Sequence, residues 1–361
     1  MPPSNGAFLS KYRPRLRSLL ALALHSSRAS HLTQRLANAC QLKTTDRGGA
    51  IFPFVKRRRS PSIQILGYHR VNDDPGPYLP ATPRAVFATQ MEYLASRYTV
   101  LTLDSAVDSL RRNDVPDNAL VITFDDGYRD NYLYAFPILQ GLSIPATIFL
   151  ATAATGSRSV LWHDRVFAAF RRTEASGLDG FAGTSTRYSL NTWTERLAAQ
   201  TEVLKFLRSL DDESRSFWIE DLLKELRVVD TPDASNLMLT WPDVQDMHRA
   251  GISFGSHTVN HPILAHLPHA KARAEINASK SAIEERLGTR VTAFAYPGGK
   301  SADFNEDVKR IVRDAGYGCA LTAIPGTNDA SRDLFELRRG TPWETDVPGF
   351  AARMQWSKFC S

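Results

Sequence analysis

Cysteine is scarce in this sequence, with three among 361 residues. Cys40, Cys319 and Cys360 are far apart and odd in number, so they predict neither a disulfide framework nor a cysteine-based zinc site. Internal repeats and low-complexity blocks are missing as well. The sequence therefore has no sign of a disulfide-rich or repeat architecture.

Long apolar runs are also missing, although apolar residues are plentiful. The sequence is 43% hydrophobic and 23% charged, which is typical of a soluble globular chain that can bury a sizeable core. Its length leaves room for one large domain or two ordinary ones.

Acidic residues are nearly absent from the first 61 residues. This basic leader, residues 1–61, holds twelve Lys and Arg and one acid, Asp46. Of the 44 basic and 38 acidic residues in the chain, 32 and 37 then remain for residues 62–361. The net charge of +6 therefore comes from the leader and not from the body of the protein.

The apolar stretch in the leader is short, running from Ser18 to Leu24 before His25 and Arg28. A spanning helix needs about 20 apolar residues, and a cleaved signal usually has an apolar run of roughly 7–15 residues before small residues. The stretch is too short for a spanning helix and fits a cleaved signal poorly. An amphipathic surface helix and a solvated, partly disordered arm both remain open. We expect a cytoplasmic or membrane-peripheral protein, with peripheral contact to anionic lipid through the leader and no nucleic-acid partner.

Beyond the basic run 56–59 and Pro61, strand-like and helix-like segments alternate. The continuous apolar run 119–124 suits a strand buried in a parallel sheet, and 84–97 has apolar residues at helical spacing. The full set of predicted strands is 63–68, 98–103, 119–124, 146–150, 252–256, 291–296 and 317–322, and the predicted helices are 84–97, 104–112, 130–141, 242–250, 268–287 and 303–315.

Residues 156–235 interrupt this alternation. Two segments, 194–209 and 212–227, have amphipathic helical patterns, so we predict a helical insertion within one domain, residues 62–361. Repeated β-α units imply a parallel sheet covered by helices. An α/β fold with a distorted, closed or nearly closed (β/α) barrel is the first expectation, and a doubly wound open sheet is the second.

Three short motifs stand at the carboxyl ends of predicted strands. They are Thr-Phe-Asp-Asp-Gly-Tyr at 123–128, Ser-His-Thr-Val-Asn-His-Pro at 256–262 and Phe-Ala-Tyr-Pro-Gly-Gly at 294–299. Each motif alone is ordinary turn material. In β/α enzymes, however, the loops at this edge converge, so together the motifs predict a cluster of two imidazoles and two adjacent carboxylates.

Such a cluster suits metal-assisted chemistry. His257, His261 and one carboxylate can bind a borderline divalent cation and leave positions open for water and substrate. Asp125 and Asp126 should repel each other, so one of them gains most by meeting a cation. The other carboxylate can then serve as a base.

On these motifs the chain resembles the polysaccharide deacetylases of carbohydrate esterase family four, over roughly residues 62–345. The resemblance implies a distorted β/α barrel and metal-dependent hydrolysis of N-acetyl groups on a chitooligosaccharide, peptidoglycan or exopolysaccharide. It implies that Asp126, His257 and His261 bind the metal, with zinc expected, and that Asp125 is the catalytic base.

The sequence departs from the family pattern in two places. The third motif often begins with an Arg that orients the base, and Ala295 stands there instead. A later Leu-x-His motif usually supplies the general acid, and the nearest match, Leu337-Arg338-Arg339, has no His. We expect His69, at the end of the first predicted strand, to supply the acid, since the biofilm-polysaccharide branch has a similar Tyr-His-x-Val strand end. His163 is a weaker candidate.

Side chains near the motifs are candidates for substrate contact. Tyr128, Tyr296 and Trp162 could form apolar walls against sugar rings, and Pro297 adjoins Tyr296. Trp241 is a further aromatic candidate. Burial in the core is the alternative for each aromatic ring.

Two other functions fit parts of this pattern. A carbohydrate-binding relative with weak or no catalysis would explain the missing Arg and His, but it would not need Asp125. An iron redox enzyme also uses two His and one carboxylate, but the adjacent aspartates favour hydrolysis. The sequence thus predicts a metal-dependent hydrolase that acts on an N-acetylated glycan.

Overall fold

Short parallel strands form the centre of the fold. The computed structural model describes residues 61–74, 76, 79–228 and 236–357. Its strands are β1 Gln64–Tyr68, β2 Thr99–Val100, β3 Ala119–Phe124, β4 Thr147–Leu150, β5 Gly177–Asp179, β6 Arg187–Ser189, β7 Ser253–Ser256, β8 Ala293–Ala295 and β9 Cys319–Leu321. Seven of them form one sheet in the order β1-β3-β4-β7-β8-β9, with β2 paired to the start of β3, while β5 and β6 form a separate hairpin.

Apolar residues bury both faces of this sheet. All six residues of β3 are buried, as expected for a strand between two packed layers. Neighbouring residues of β1 point to opposite sides, so that Ile65 packs with Val121 in one apolar cluster and Leu66 packs with Ile122 in another. The predicted continuous apolar pattern is therefore explained by burial on both sides.

Helices cover the outside of the sheet. The first of them buries Phe87, Met91 and Leu94 on its inner face, as its sequence periodicity predicted. The helices are α1 Arg84–Arg97, α2 Leu103–Arg112, α3 Phe136–Gly141, α4 Trp162–Arg172, α5 Trp193–Arg208, α6 Asp212–Glu225, α7 Trp241–Arg249, α8 His269–Leu287, α9 Glu306–Asp314 and α10 Val347–Ser357, and the π-helical turn Asn131–Ala135 precedes α3.

A short extended segment, residues 337–340, joins the two ends of the sheet. On one side Leu337 N–H donates to Ala320 O (2.9 Å) in β9, and on the other Gly340 N–H donates to Ile65 O (2.9 Å) in β1. The segment makes parallel bridges to both strands. The sheet therefore curves back on itself with flanking helices, which confirms the distorted (β/α) barrel and not the open sheet.

The insertion lies between β4 and α7. It comprises α4, the β5–β6 hairpin, α5 and α6, which share an apolar cluster that includes Phe170, Leu178, Val203 and Leu222. The predicted helical insertion also contains this hairpin. Its two strands have three residues each, too few to show a period in the sequence. Residues 229–235, at the end of the predicted insertion, lie outside the described residues.

The expectations for the leader fall almost entirely on residues 1–60, outside the part of the chain that the structure describes. Within the described residues, no helix has both the length and the apolar character that crossing a membrane requires.

Close packing at Gly255 of β7 gives a test of the barrel. A Cβ atom there would lie 2.5 Å from two ring carbons of Phe149 and 2.9 Å from Ala293 O. We expect Gly255→Ala to lower the free energy of unfolding by about 1–3 kcal/mol, the usual cost of overpacking, as measured by urea denaturation.

Gly141, at the end of α3, is the matched control because a Cβ there has open space. Gly141→Ala should be neutral or should stabilise by up to about 1 kcal/mol. Equal stability of the two variants would contradict the packing of β4 against β7 and β8.

Candidate active site

The first and second motifs leave their strands through strained backbone. Asp126 has φ of 74°, Thr258 of 67° and His261 of 56°, all in the left-handed region that costs a non-glycine residue about 1–3 kcal/mol when held there. These turns direct the side chains that follow β3 and β7 towards one another. Strain of this kind clusters at functional sites, where the surrounding structure must hold it.

Asp126, His257 and His261 meet at one point. The Nε2 atoms of His257 and His261 lie 3.5 and 3.3 Å from Asp126 Oδ1. One potential ligand atom from each residue lies within 4.8 Å of the other two, and all three residues are buried. The structure thus brings together the three predicted ligand residues, in an arrangement that could hold a metal ion.

The hydrogen bonds around this trio fit a cation. His257 Nδ1 lies 2.7 Å from Ala295 O, which can only accept, so Nδ1 carries the proton and Nε2 presents its lone pair. The buried Oδ1 of Asp126 has no hydrogen-bond partner, although such atoms normally have one. An unpartnered oxygen beside two imidazole nitrogens is the donor set that zinc accepts.

The pKa shifts of these three residues also favour a bound cation. Burial raises the pKa of Asp126 well above its ordinary value, and the carboxylates of Asp125 and Asp164 raise it further. Burial lowers the pKa of His257 to about 4 and lowers the pKa of His261 well below its ordinary range. The imidazoles are therefore neutral, the form that binds metal, and a cation would restore the charge of Asp126.

Asp125 has a different partner, the guanidinium of Arg339. Nη1 and Nη2 of Arg339 donate to the two carboxylate oxygens of Asp125, each over 2.7 Å. Arg339 Nε also donates to Thr322 O (2.8 Å), which fixes the plane of the guanidinium. Burial by itself would raise the pKa of Asp125, but Arg339, together with His257, outweighs it and holds the pKa below its ordinary value.

The contact of Arg339 with Asp125 was not predicted from the sequence. Ala295 in place of the usual Arg and the missing His at 337–339 are separate departures in the sequence, and nothing in it connects them. In the structure, Arg339 reaches Asp125 from the segment that closes the barrel, 214 residues along the chain. Burial distinguishes Arg339 from its neighbour Arg338, and the sequence alone does not show burial.

His69 directly follows β1 beside Asp125. Tyr68 pairs with Phe124 in the parallel register, and Asp125 N–H donates to Tyr68 O over 3.0 Å, so His69 and Asp125 are neighbours at the carboxyl edge. Asn131 Nδ2 donates to His69 O (2.8 Å). Burial lowers the pKa of His69, while the Asp125 carboxylate raises it.

Helix α4 of the insertion lies against the trio. Trp162 Nε1 donates to His261 O (3.1 Å), and His163 Nε2 lies 3.7 Å from Asp126 Oδ2 and 3.1 Å from Tyr128 Oη. The insertion is therefore part of the site wall, which its helical pattern could not show.

Two predicted sugar-contacting rings are enclosed by protein. Tyr128 and Tyr296 are 0% and 1% exposed, and Pro297 is buried as well, so these residues cannot form the sugar-facing walls that we expected. The hydroxyl of Tyr128 donates to Asp164 Oδ2 (2.7 Å), and the ring of Tyr296 stacks on Phe304 at 4.4 Å. Of the four predicted contacts, Trp162 keeps partial exposure.

Known proteins resemble this chain in sequence and in fold. The family model described as polysaccharide deacetylase matches residues 112–320, more than half of the chain. The chain therefore belongs to the polysaccharide deacetylase family, as the motifs implied, and family membership supports a hydrolase of the deacetylase type.

Individual relatives are distant in sequence. The protein YxkH of Bacillus subtilis (strain 168), whose name assigns it provisionally to the polysaccharide deacetylases, is 22% identical over 333 residues, which cover 90% of this chain and 89% of YxkH. The deacetylase PplD of Streptococcus pyogenes, solved in complex with acetate, aligns with a TM-score of 0.55 at 20% identity over 82% of this chain and 99% of its own. IcaB from Ammonifex degensii aligns with a TM-score of 0.52 at 19% identity over 82% and 97%. Both structures share the fold of this chain.

The Asp125–Arg339 pair gives a test of the site. Arg339→Ala leaves a buried carboxylate without its cation, so we expect the free energy of unfolding to fall by about 3–5 kcal/mol. Arg339→Lys keeps the charge but loses the two-pronged geometry and should lose less. Arg338→Ala, at a partly exposed neighbour, is the control for urea denaturation.

The contribution of Asp125 to stability should also change its pH dependence when Arg339 is removed. In the unaltered protein the pKa of Asp125 is depressed, so its stabilising contribution is present above the unfolded value of about 3.9 and is lost at lower pH. Without Arg339, burial raises the pKa of Asp125. The difference in free energy of unfolding between the unaltered protein and Arg339→Ala should therefore shrink as the pH falls through the raised value. A deficit that is constant with pH would show that the pair is not what Arg339 contributes.

Proposed function

We propose that this protein hydrolyses N-acetyl groups on a poly- or oligosaccharide that contains N-acetylglucosamine, and releases acetate. The observation that carries the proposal is the presence of two differently partnered aspartates side by side. Asp125 is held ionised by Arg339, while Asp126 faces two imidazoles with an unpartnered oxygen. One carboxylate is thus free to act as a base while the other is free to bind a cation.

Asp126, His257 and His261 would hold the divalent cation, and zinc fits this ligand set best. Three protein ligands with two nitrogens and one oxygen are typical of catalytic zinc sites, which keep a further position open. A bound divalent cation would supply Lewis acidity to the acetyl carbonyl and to the attacking water.

Asp125 would take the proton of the attacking water. Its depressed pKa keeps it ionised at neutral pH, and the two hydrogen bonds from Arg339 fix the orientation of its carboxylate. The same guanidinium limits the basicity of Asp125, so the acidity of the water must be raised for the transfer to proceed. The site therefore needs the base and the cation together.

His69 would give a proton to the departing amine. It stands next to Asp125 at the same edge of the barrel. Burial lowers the pKa of His69, and the neighbouring Asp125 carboxylate opposes this shift without overcoming it. The neutral imidazole would take up the proton that Asp125 removes from the attacking water, and the imidazolium so formed, with its lowered pKa, would pass this proton to the departing amine.

Several findings support an acetylated glycan as substrate. The family is defined by deacetylation of polysaccharides, and the PplD structure contains acetate, the product that this reaction would release. Trp162, partly exposed beside His261, is the predicted aromatic contact that could still meet a sugar ring at the site. A relative that only bound carbohydrate would not need the Asp125–Arg339 pair, so the active enzyme is the better interpretation.

Acetate release across a panel of N-acetylated glycans is the direct test. Chitooligosaccharides, peptidoglycan fragments and an N-acetylated exopolysaccharide should be compared with and without added zinc. We expect release from at least one glycan, with dependence on the cation. Release from none of them, by a protein that binds zinc, would contradict the proposal.

Asp125→Asn separates the base from the cation site. The amide keeps the shape of the carboxylate but cannot accept the proton, and loss of one general base typically lowers the rate by about 10²–10⁴. We expect this loss in acetate release while bound zinc, measured by elemental analysis, stays at the level of the unaltered protein. Unchanged turnover of the zinc-loaded variant would refute the role of Asp125.

His69→Ala tests the proton donor. We expect zinc content to be unchanged and amide hydrolysis to fall by about 10²–10⁴. An activated acetyl ester, whose leaving group needs no proton, should lose far less. His163→Ala is the matched comparison, because His163 is the second candidate for the proton donor and its imidazole also lies beside the predicted cation ligands. Equal losses on both substrates for His69→Ala would indicate a structural role for His69.

A further inference from the structure

The loop between His257 and His261 is held by a residue of another helix. Its backbone includes two non-glycine residues in the left-handed region, Thr258 and His261, and each costs free energy unless the surroundings fix it. Thr258 Oγ1 accepts from His261 N–H over 3.0 Å, which closes the turn. The two backbone N–H groups between them, of Val259 and Asn260, point away from this turn and need acceptors.

Glu275 of α8 supplies those acceptors. Its Oε2 accepts from Val259 N–H (2.8 Å) and from Asn260 N–H (2.9 Å), and its Oε1 accepts from Asn260 Nδ2 (2.7 Å). One carboxylate therefore takes three hydrogen bonds from two consecutive residues. Hydrogen bonds to a charged acceptor are roughly twice as strong as neutral ones.

The carboxylate of Glu275 is carried by a well-anchored part of α8. The next residue, Ile276, is completely buried, and Ser279, one turn later, hydrogen-bonds through its hydroxyl to Ser256 of β7. The helix is thereby tied to the strand from which the loop leaves. Glu275 can hold the loop at a fixed place relative to His257, and so determines where His261 presents its Nε2 atom.

We infer that Glu275 is a positioning residue that sets the cation affinity of the site by fixing the 258–261 loop. This inference rests on the proposed function, since it takes Asp126, His257 and His261 as the cation ligands. Glu275 does not contact these side chains and acts through the backbone of Val259 and Asn260. Partners of ligating residues typically change metal affinity by about 10–100-fold when they are removed.

Zinc affinity of the full-length chain is the appropriate measurement. The metal-free protein is titrated with zinc in competition with a chromophoric chelator, for the unaltered chain and for Glu275→Ala, Glu275→Gln and Glu285→Ala. Glu285 lies on the same helix and is exposed, so its substitution controls for loss of a negative charge from α8.

We expect Glu275→Ala to weaken zinc binding by about 10–100-fold. Glu275→Gln should have an intermediate affinity, because its amide oxygen can still accept from the backbone but carries no charge. Glu285→Ala should match the unaltered chain. The visible spectrum of the cobalt-substituted protein should change in Glu275→Ala, since a displaced His261 alters the ligand geometry, and a role confined to stability would not move this spectrum.

The outcomes separate this inference from the proposed function. Unaltered zinc affinity and cobalt spectrum in both Glu275 variants, while the unaltered chain binds zinc, would overturn the inference alone. Failure of the unaltered chain to bind zinc would overturn the proposed function and the inference with it. If Glu275→Ala does not fold, the isosteric Glu275→Gln decides by the same two measurements.

Discussion

The site depends on one electrostatic constraint, that adjacent buried carboxylates need separate positive partners. Asp125 and Asp126 follow the same strand and are both almost inaccessible to solvent. Arg339 forms an ion pair with Asp125. Among the described residues, Asp126 is paired with imidazoles, and burial keeps those of His257 and His261 neutral. An ion from solution could therefore serve as the positive partner of Asp126, and the different partners fit the different roles that we propose for the two carboxylates.

The same constraint couples the fold to the site. Arg339 lies in the segment that joins β9 to β1, so closure of the barrel and ionisation of Asp125 depend on the same few residues. A barrel left open at the 337–340 segment would lose the guanidinium of Arg339 as well as the backbone hydrogen bonds of Leu337 and Gly340. Ala295 stands where the family motif usually has an Arg. Here the cation beside Asp125 is Arg339, which belongs to the 337–340 segment.

The sequence predicted local and repeated features better than contacts between distant segments. The strands and most helices followed from periodicity. The clustering of two aspartates with His257 and His261 followed from their places at strand ends, and the family resemblance selected Asp126 as the ligand. Arg339 could not be assigned, since nothing local distinguishes it from Arg338. The burial of Tyr128 and Tyr296 depends on tertiary packing, and the hairpin strands of the insertion are too short to carry a periodic signal.

The contacts of helix α4 have a consequence for the engineering of this chain. The insertion looks like an exchangeable module because it has its own apolar cluster. Excising it would nevertheless remove the indole N–H from the backbone of His261 and the imidazole beside Asp126. A chimera that replaced the insertion with one from a distant relative would thus need a matching pair at positions 162 and 163, and loop length alone would be a poor guide for choosing the donor.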